Sequence, residues 1–344
     1  MDTFNFEKTF YTRRLKELEN NTLTKQDIEE IQTMYQIALD KIEYSPNTYK
    51  ALQEINAYSR LEKLLKQNNT LPLPPFQEIV HTAPSFDNTE LSLEDFLNNL
   101  NNNIKIPFND KQLDIFNDVC NFSNWLLKEN SNIIFLLRDM FLPYLICKEC
   151  SNTTATPLLI GRKLIKFFND SKTENNYDFD ASDDDENYLN FLYIIYEGAT
   201  LYPNSFSKFF TYIKPKFIEN IKKIPNLYEF LKINLSKIKG KKITVAESGL
   251  FGTIPLILMC VDNRIDFKLF STHPALYEVY KNKIFTKNIN QLLALEQSIS
   301  QNQLFIFSSV RNNKTYIKQT TDPNILEKSY QEIANLLNFY KKFN

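Results

Sequence analysis

The chain has 344 residues, 43% hydrophobic and 14% aromatic, which excludes a disordered polymer and allows one large domain or two ordinary ones. Its 40 Lys and Arg nearly balance 41 Asp and Glu, so no global basic field exists to hold nucleic acid, and a run such as Lys237 to Lys242 reads as a solvated loop. No apolar run reaches bilayer-spanning length, and Met1 to Glu7 does not read as a signal peptide; the expectation is a soluble, cytoplasmic chain with no membrane partner.

Residues 5–66 have helical texture. Thr24 to Asp27 is a capping start, after which Ile28, Ile31, Tyr35, Ala38, Leu39 and Ile42 recur at helical spacing and make one apolar face. A second helix is expected over Thr48 to Lys66. Residues 1–67 then form a helical N-terminal region, either a hairpin packed on the body or an arm for a protein partner. Residues 68–110 hold Pro72, Pro74, Pro75 and Pro84 and read as an extended connector, with a short helix capped by Ser92 to Asp95 and an Asn-rich loop over Asn98 to Asn103.

Residues 111–344 carry α/β texture. A helix over Leu113 to Lys128 precedes a continuous apolar strand, Asn132 to Leu137, and a helix from Leu142 to Cys150. A second strand, Pro157 to Ile160, leads into a helix over Lys163 to Phe168. The insert, about 170–238, opens on an acidic loop with Asp178, Asp180, Asp183, Asp184, Asp185 and Glu186, which reads as solvated or as a divalent-cation site, and continues as helix over Tyr188 to Leu235. Strand texture returns at Ile243 to Ala246, Asp266 to Ser271, Leu304 to Ser308 and Lys314 to Gln319, and a helix closes at Pro323 to Lys342. Strand, turn and helix in alternation predict a Rossmann-like α/β domain, a mainly parallel sheet flanked by helices. In such sheets ligands bind beyond the carboxyl ends of the strands.

Cysteines and histidines say little. Cys147 and Cys150 have a metal-like spacing, but no second pair answers them, and Cys120 and Cys260 stand apart; buried thiols are expected rather than zinc. Of two histidines, His81 sits in the connector without a role, and His273 follows a strand, where it reads as a structural turn residue or a group reaching the strand-end edge.

Glycine says more. Only five serve the whole chain, and Gly240, Gly249 and Gly252 crowd into thirteen positions. Glu247-Ser248-Gly249-Leu250-Phe251-Gly252-Thr253 lies between an apolar strand and an apolar helix with Pro255 in its first turn. Strand, glycine turn and helix N-terminus make an anion site of converging backbone N–H groups. Two other strands end in Arg138-Asp139 and in Gly161-Arg162, and all three endings fall on one edge if the strands are parallel.

These three segments, in this order, resemble phosphoribosyltransferase-like proteins, including a group encoded in bacterial polysaccharide loci with Arg-Asp-Gly, Ser-Arg and Asp-x-Gly-x-x-Gly-Thr motifs. The resemblance covers about residues 130–310. It implies a phosphorylated sugar or sugar nucleotide as ligand, with Mg²⁺ as a companion ion and glycosyl or phosphoribosyl transfer as the reaction. The phosphate would be held by Ser248, the Gly249 to Thr253 backbone amides and the Thr253 hydroxyl. Arg138 and Arg162 would clamp further phosphate oxygens, Glu247 would take sugar hydroxyls or the ion, and Asp139 would orient an arginine or touch the ion. Met140 stands where glycine is usual and is expected to crowd a diphosphate, and Ser248 replaces a second acidic residue.

Other readings remain open. Arg138-Asp139 is equally an ion pair capping a strand, and Arg162 a solvated helix start. An S-adenosylmethionine-dependent methyltransferase would use the same loop, but the strand ending Lys268-Leu-Phe-Ser-Thr272 lacks the carboxylate such an enzyme places on the ribose. An aspartate-nucleophile phosphatase would want two carboxylates after the first strand, where only Asp139 stands. A non-catalytic α/β module acting through its helical arm is the reading from a different class.

Overall fold

The computed structural model describes residues 3–39, 46–70, 86–87, 89–103, 113–128, 132–137, 139–150, 154–169, 186–249, 251–287, 291–292, 295 and 304–343. The N-terminal region is four helices, α1 (Thr3–Asn20), α2 (Lys25–Leu39), α3 (Pro46–Glu54) and α4 (Ala57–Gln67). Thr24 caps α2 as its sequence predicts: the Asp27 amide donates to Thr24 Oγ1 at 3.2 Å, and the Thr24 amide donates to Asp27 Oδ2 at 2.9 Å. The single helix expected over Thr48 to Lys66 is broken between α3 and α4. Asn56 there takes φ 57°, a left-handed conformation that asparagine tolerates better than other side chains do. Ile31, Tyr35 and Ala38 join Tyr11, Leu15, Leu61 and Leu65 in a small core of this region.

After β1 (Leu91–Ser92), α5 runs over Leu93–Asn103, so the predicted Asn-rich loop is helix instead. Phe96, Leu97 and Leu100 are buried, and their packing outweighs the poor helix propensity of the asparagines. Ser92 caps this helix: its Oγ accepts from the Asp95 amide at 3.1 Å.

The body alternates as read: α6 (Leu113–Leu127), β2 (Asn132–Leu136), α7 (Phe141–Cys150), β3 (Ala155–Leu158), α8 (Arg162–Asn169), the insert helices α9 (Glu186–Leu201), α10 (Phe206–Lys223) and α11 (Leu227–Ser236), then β4 (Ile243–Glu247), α12 (Thr253–Val261), β5 (Ile265–Leu269) and a short α13 (Tyr277–Tyr280). The four strands form one parallel sheet in the order β3-β2-β4-β5. Lys283 to Thr286 adds a short ladder beside the end of β5, where the Leu269 amide donates to the Lys283 carbonyl at 2.7 Å and the Phe285 amide to the Leu269 carbonyl at 2.9 Å.

Alternation along the strands feeds two cores. Ile134, Leu136, Ile243 and Val245 enter one with α9 to α12, while Ile133, Phe135 and Ala246 enter the other with α6 and α7. Both faces are covered, so the strands read as unbroken apolar runs.

The last two expected strands do not extend this sheet. β6 (Phe305–Arg311) and β7 (Lys314–Gln319) pair antiparallel with each other, and β1 pairs with β7. Asn312 and Asn313 between them have φ of 50° and 57°, the positive pair that a two-residue hairpin turn requires. A last described helix spans Pro323–Phe343.

Candidate active site at the strand ends

β2 and β4 lie side by side, yet the chain leaves β2 for β3 on one flank and returns to β4 on the other. Such a reversal of strand order marks the place, beyond the carboxyl ends, where open α/β sheets bind ligands. Asp139 follows β2, and Ser248 follows β4. The Ser248 hydroxyl donates to Asp139 Oδ2 at 3.3 Å, so residues 109 positions apart meet at this point.

Arg162, exposed at the first residue of α8, places its guanidinium 5.4 Å from the ring centroid of Tyr188 on α9. The Tyr188 hydroxyl is held above its ordinary pKa by burial first. Arg162 opposes that shift, and the Glu247 and Asp139 carboxylates add to it. The Thr253 hydroxyl lies within reach of the Tyr188 hydroxyl, though short of full hydrogen-bond geometry. Asp139, Arg162, Glu247 and Thr253 thus converge around one tyrosine, and Ser248 joins them through Asp139. Arg138 lies outside the described residues, as do Leu250, His81 and the acidic stretch 178–185.

Glu247 is the partly buried last residue of β4, and burial together with its charge holds the Tyr280 hydroxyl well above the ordinary range. α12 begins at Thr253 behind Gly252, whose φ is 63°. Its first intrahelical bond runs from the Leu256 amide to the Gly252 carbonyl at 3.1 Å. Pro255 has no N–H, so Thr253 and Ile254 carry the amides without an intrahelical acceptor.

Three expectations about the loop need correction. The fan of free amides from Gly249 to Thr253 is narrower than expected, because the Phe251 amide donates to the Gly249 carbonyl at 3.1 Å. Gly249 is bare because of its own chain. With φ at 139°, an added Cβ would lie 2.0 Å from the Ser271 carbonyl oxygen, where the loop runs against residues after β5 and the Ser271 amide donates to the Ser248 carbonyl at 3.0 Å. Met140 crowds nothing in the crevice: its side chain is fully buried with Phe96 and Phe141, and its amide donates to the Leu136 carbonyl at 3.2 Å.

His273 is buried and structural. Its Nδ1 accepts from the Ala275 amide at 3.3 Å, which leaves the proton of the neutral ring on Nε2, 2.5 Å from the Tyr11 hydroxyl. Burial lowers its pKa to about 3. Its ring stacks on Phe251 of the glycine loop, with centroids 5.3 Å apart at 25°. Tyr196 meets Phe251 edge-on at 5.4 Å, and the Tyr280 hydroxyl donates to the Phe251 carbonyl at 3.1 Å.

Sequence reasoning missed Tyr188, Tyr196, Tyr280 and Tyr11, because nothing local separates them from the other fourteen tyrosines. Cys120, Cys147 and Cys260 are buried thiols outside any disulfide, and burial pushes the Cys260 thiol up to about 12. Among the described residues no group of three or more His, Cys, Asp or Glu is arranged to hold a metal ion, and no described helix is long and apolar enough to cross a membrane. No protein-family model matches this chain, and no curated protein or solved structure is significantly similar to it.

Proposed function

We propose that the crevice between the ends of β2 and β4 binds the phosphate of a phosphorylated sugar or sugar nucleotide, and that the chain is a divergent phosphoribosyltransferase-like protein. One observation supports this most: Tyr188 lies in the combined field of Arg162, Glu247 and Asp139, beside the Thr253 hydroxyl. A cation, two carboxylates and a helix N-terminus from four separate segments act on this one tyrosine. In this reading Arg162, Thr253 and the free amides of α12 take phosphate oxygens, and Ser248 supports the same group. Asp139 and Glu247 offer the hard oxygen donors that Mg²⁺ prefers, and that ion would neutralise phosphate charge. Transfer at an anomeric carbon then relies on positioning and charge stabilisation rather than on a proton-transferring histidine.

A second reading is a non-catalytic α/β module. It is favoured by Gly249, whose lack of a side chain is accounted for by Ser271 without any ligand. A thermal-shift series with phosphoribosyl diphosphate plus Mg²⁺, sugar nucleotides and S-adenosylmethionine separates the two. The first reading expects a rise in Tm with a phosphorylated sugar that is lost in Arg162→Ala. A flat series supports the module.

A further inference from the structure

α1 brings a carboxylate into a closed seam that the phosphate-site reading does not use. Glu7 is 3% exposed. Its Oε1 accepts from the Tyr196 hydroxyl at 3.3 Å, and its Oε2 has no hydrogen-bond partner. Among the described residues no Lys or Arg pairs with it; the basic neighbours on α1 are committed elsewhere, Lys8 to Glu54 and Arg14 to Glu17, Asp27 and Glu30. The groups facing it are Tyr11 of α1, Thr48 of α3 and Tyr196 of α9, and Tyr11 leads on to His273 in the loop after β5. Beyond them Glu30 of α2 and Tyr277 of α13 act on Tyr11. An uncompensated charge in such a place is costly, and a carboxyl there takes a proton instead.

The seam ends at the glycine loop. Tyr196, which holds Glu7, also packs its ring edge on Phe251, and Tyr11 sits against His273, which stacks on Phe251. We propose that Glu7 is a protonation-controlled latch: its neutral form holds the N-terminal helices down and fixes the glycine loop through Tyr196, Tyr11, His273 and Phe251, and its ionised form loosens both. Burial raises the Glu7 carboxyl from the ordinary value of 4.5 to about 7, which places the change at near-neutral pH. The device concerns the loop and α1 and does not depend on what the crevice binds.

The sign follows from linkage. A carboxyl whose pKa is raised on folding stabilises the fold while both states keep the proton, and that contribution drains away as pH rises from 4.5 to about 7. The folding equilibrium constant then falls on the order of 10²-fold over the window, from this group alone.

Selective ¹⁵N-glycine labelling gives five signals, two of them from Gly249 and Gly252. The Gly249 and Gly252 signals are expected to titrate together with a midpoint near 7 in the wild type, while Gly161 stays in place. In Glu7→Gln they are expected to stay at their low-pH positions across the range, and the variant to be the more stable protein at pH 8. A folding defect alone moves stability without giving a titration of two chosen glycines. His81 is the other side chain with an ordinary pKa near neutrality, so the titration is repeated in His81→Asn, where it should persist. Loop signals that ignore pH, that titrate unchanged in Glu7→Gln, or that stop titrating in His81→Asn overturn the proposal. If Glu7→Gln fails to fold, Glu7→Leu and the wild-type titration alone still decide whether the loop responds.

Discussion

Two polar clusters share helix α9 and the glycine loop, and they differ in access to water. In the strand-end cluster Arg162 is exposed, Asp139, Tyr188 and Glu247 are half-buried, and Ser248 and Thr253 are buried; the seam cluster (Glu7, Tyr11, Thr48, Tyr196, His273) is closed throughout. Arg162 of the first faces solvent, where a water contact can be exchanged for a ligand contact. The second has given up its water and its groups meet mainly one another, with Glu7 Oε2 left unpartnered. The same residue types therefore divide by burial, with an exposed guanidinium in one group and a fully enclosed carboxyl in the other. Sequence position does not make that division: Tyr188 and Tyr196 stand two turns apart on one helix.

The largest expected effect tests the closed cluster. His273 is neutral in the fold with its pKa lowered to about 3, against an ordinary 6.5, so its contribution is complete above pH 6.5 and is lost as pH falls toward 3. At about 1.4 kcal/mol per unit the loss is about 5 kcal/mol. Over 4.5–6.5 the opposite trend from Glu7 cancels it, so denaturant unfolding at a series of pH values should show a plateau there. His273→Gln should turn that plateau into a fall with rising pH; an unchanged curve would remove the histidine from the seam.

Next is Gly249→Ala, which forces a methyl into the Ser271 carbonyl at a positive φ. We expect a loss of about 3 kcal/mol or more in equilibrium unfolding. A well-tolerated alanine would return the loop to the ligand-cradle explanation. Smaller again is Tyr11→Phe, which strips the Nε2 proton of His273 of its acceptor and should cost about 1–3 kcal/mol. The smallest effect on stability belongs to the open cluster: Arg162→Ala should leave Tm within about 1 °C while weakening binding of a phosphorylated ligand about tenfold or more by titration calorimetry. If it unfolds the protein instead, the two clusters do not divide as described.

The parallel sheet was legible because both faces of β2 and β4 are apolar, and a continuous run bounded by turn residues leaves few alternatives. The caps at Thr24 and Ser92 were legible for the same local reason. The break at Asn56, the helix through the asparagines to Asn103 and the Asn312-Asn313 hairpin were not, since asparagine serves left-handed turns and packed helices alike and tertiary contacts choose between them. Of the crevice, the strand-end residues could be read from their motifs, but Tyr188 reaches it from an insert with no fixed spacing to them. That position 249 tolerates no side chain was legible in the sequence; that Ser271 is the neighbour requiring it was not, because a sequence shows that a side chain is missing and not what fills the space.

β3 is an outermost strand of the parallel sheet. The amides of Ile133 and Leu137 take the carbonyls of Thr154 and Leu158, so the alternate residues Ala155 and Pro157 point their backbone polar groups outward. Pro157 offers no donor there, and a foreign strand approaching this flank finds the hydrogen-bond row interrupted. On the opposite flank, the end of β5 is taken by Lys283 to Thr286. Each border of the sheet is thus interrupted over part of its length, which works against templated aggregation in a chain this rich in isoleucine and phenylalanine.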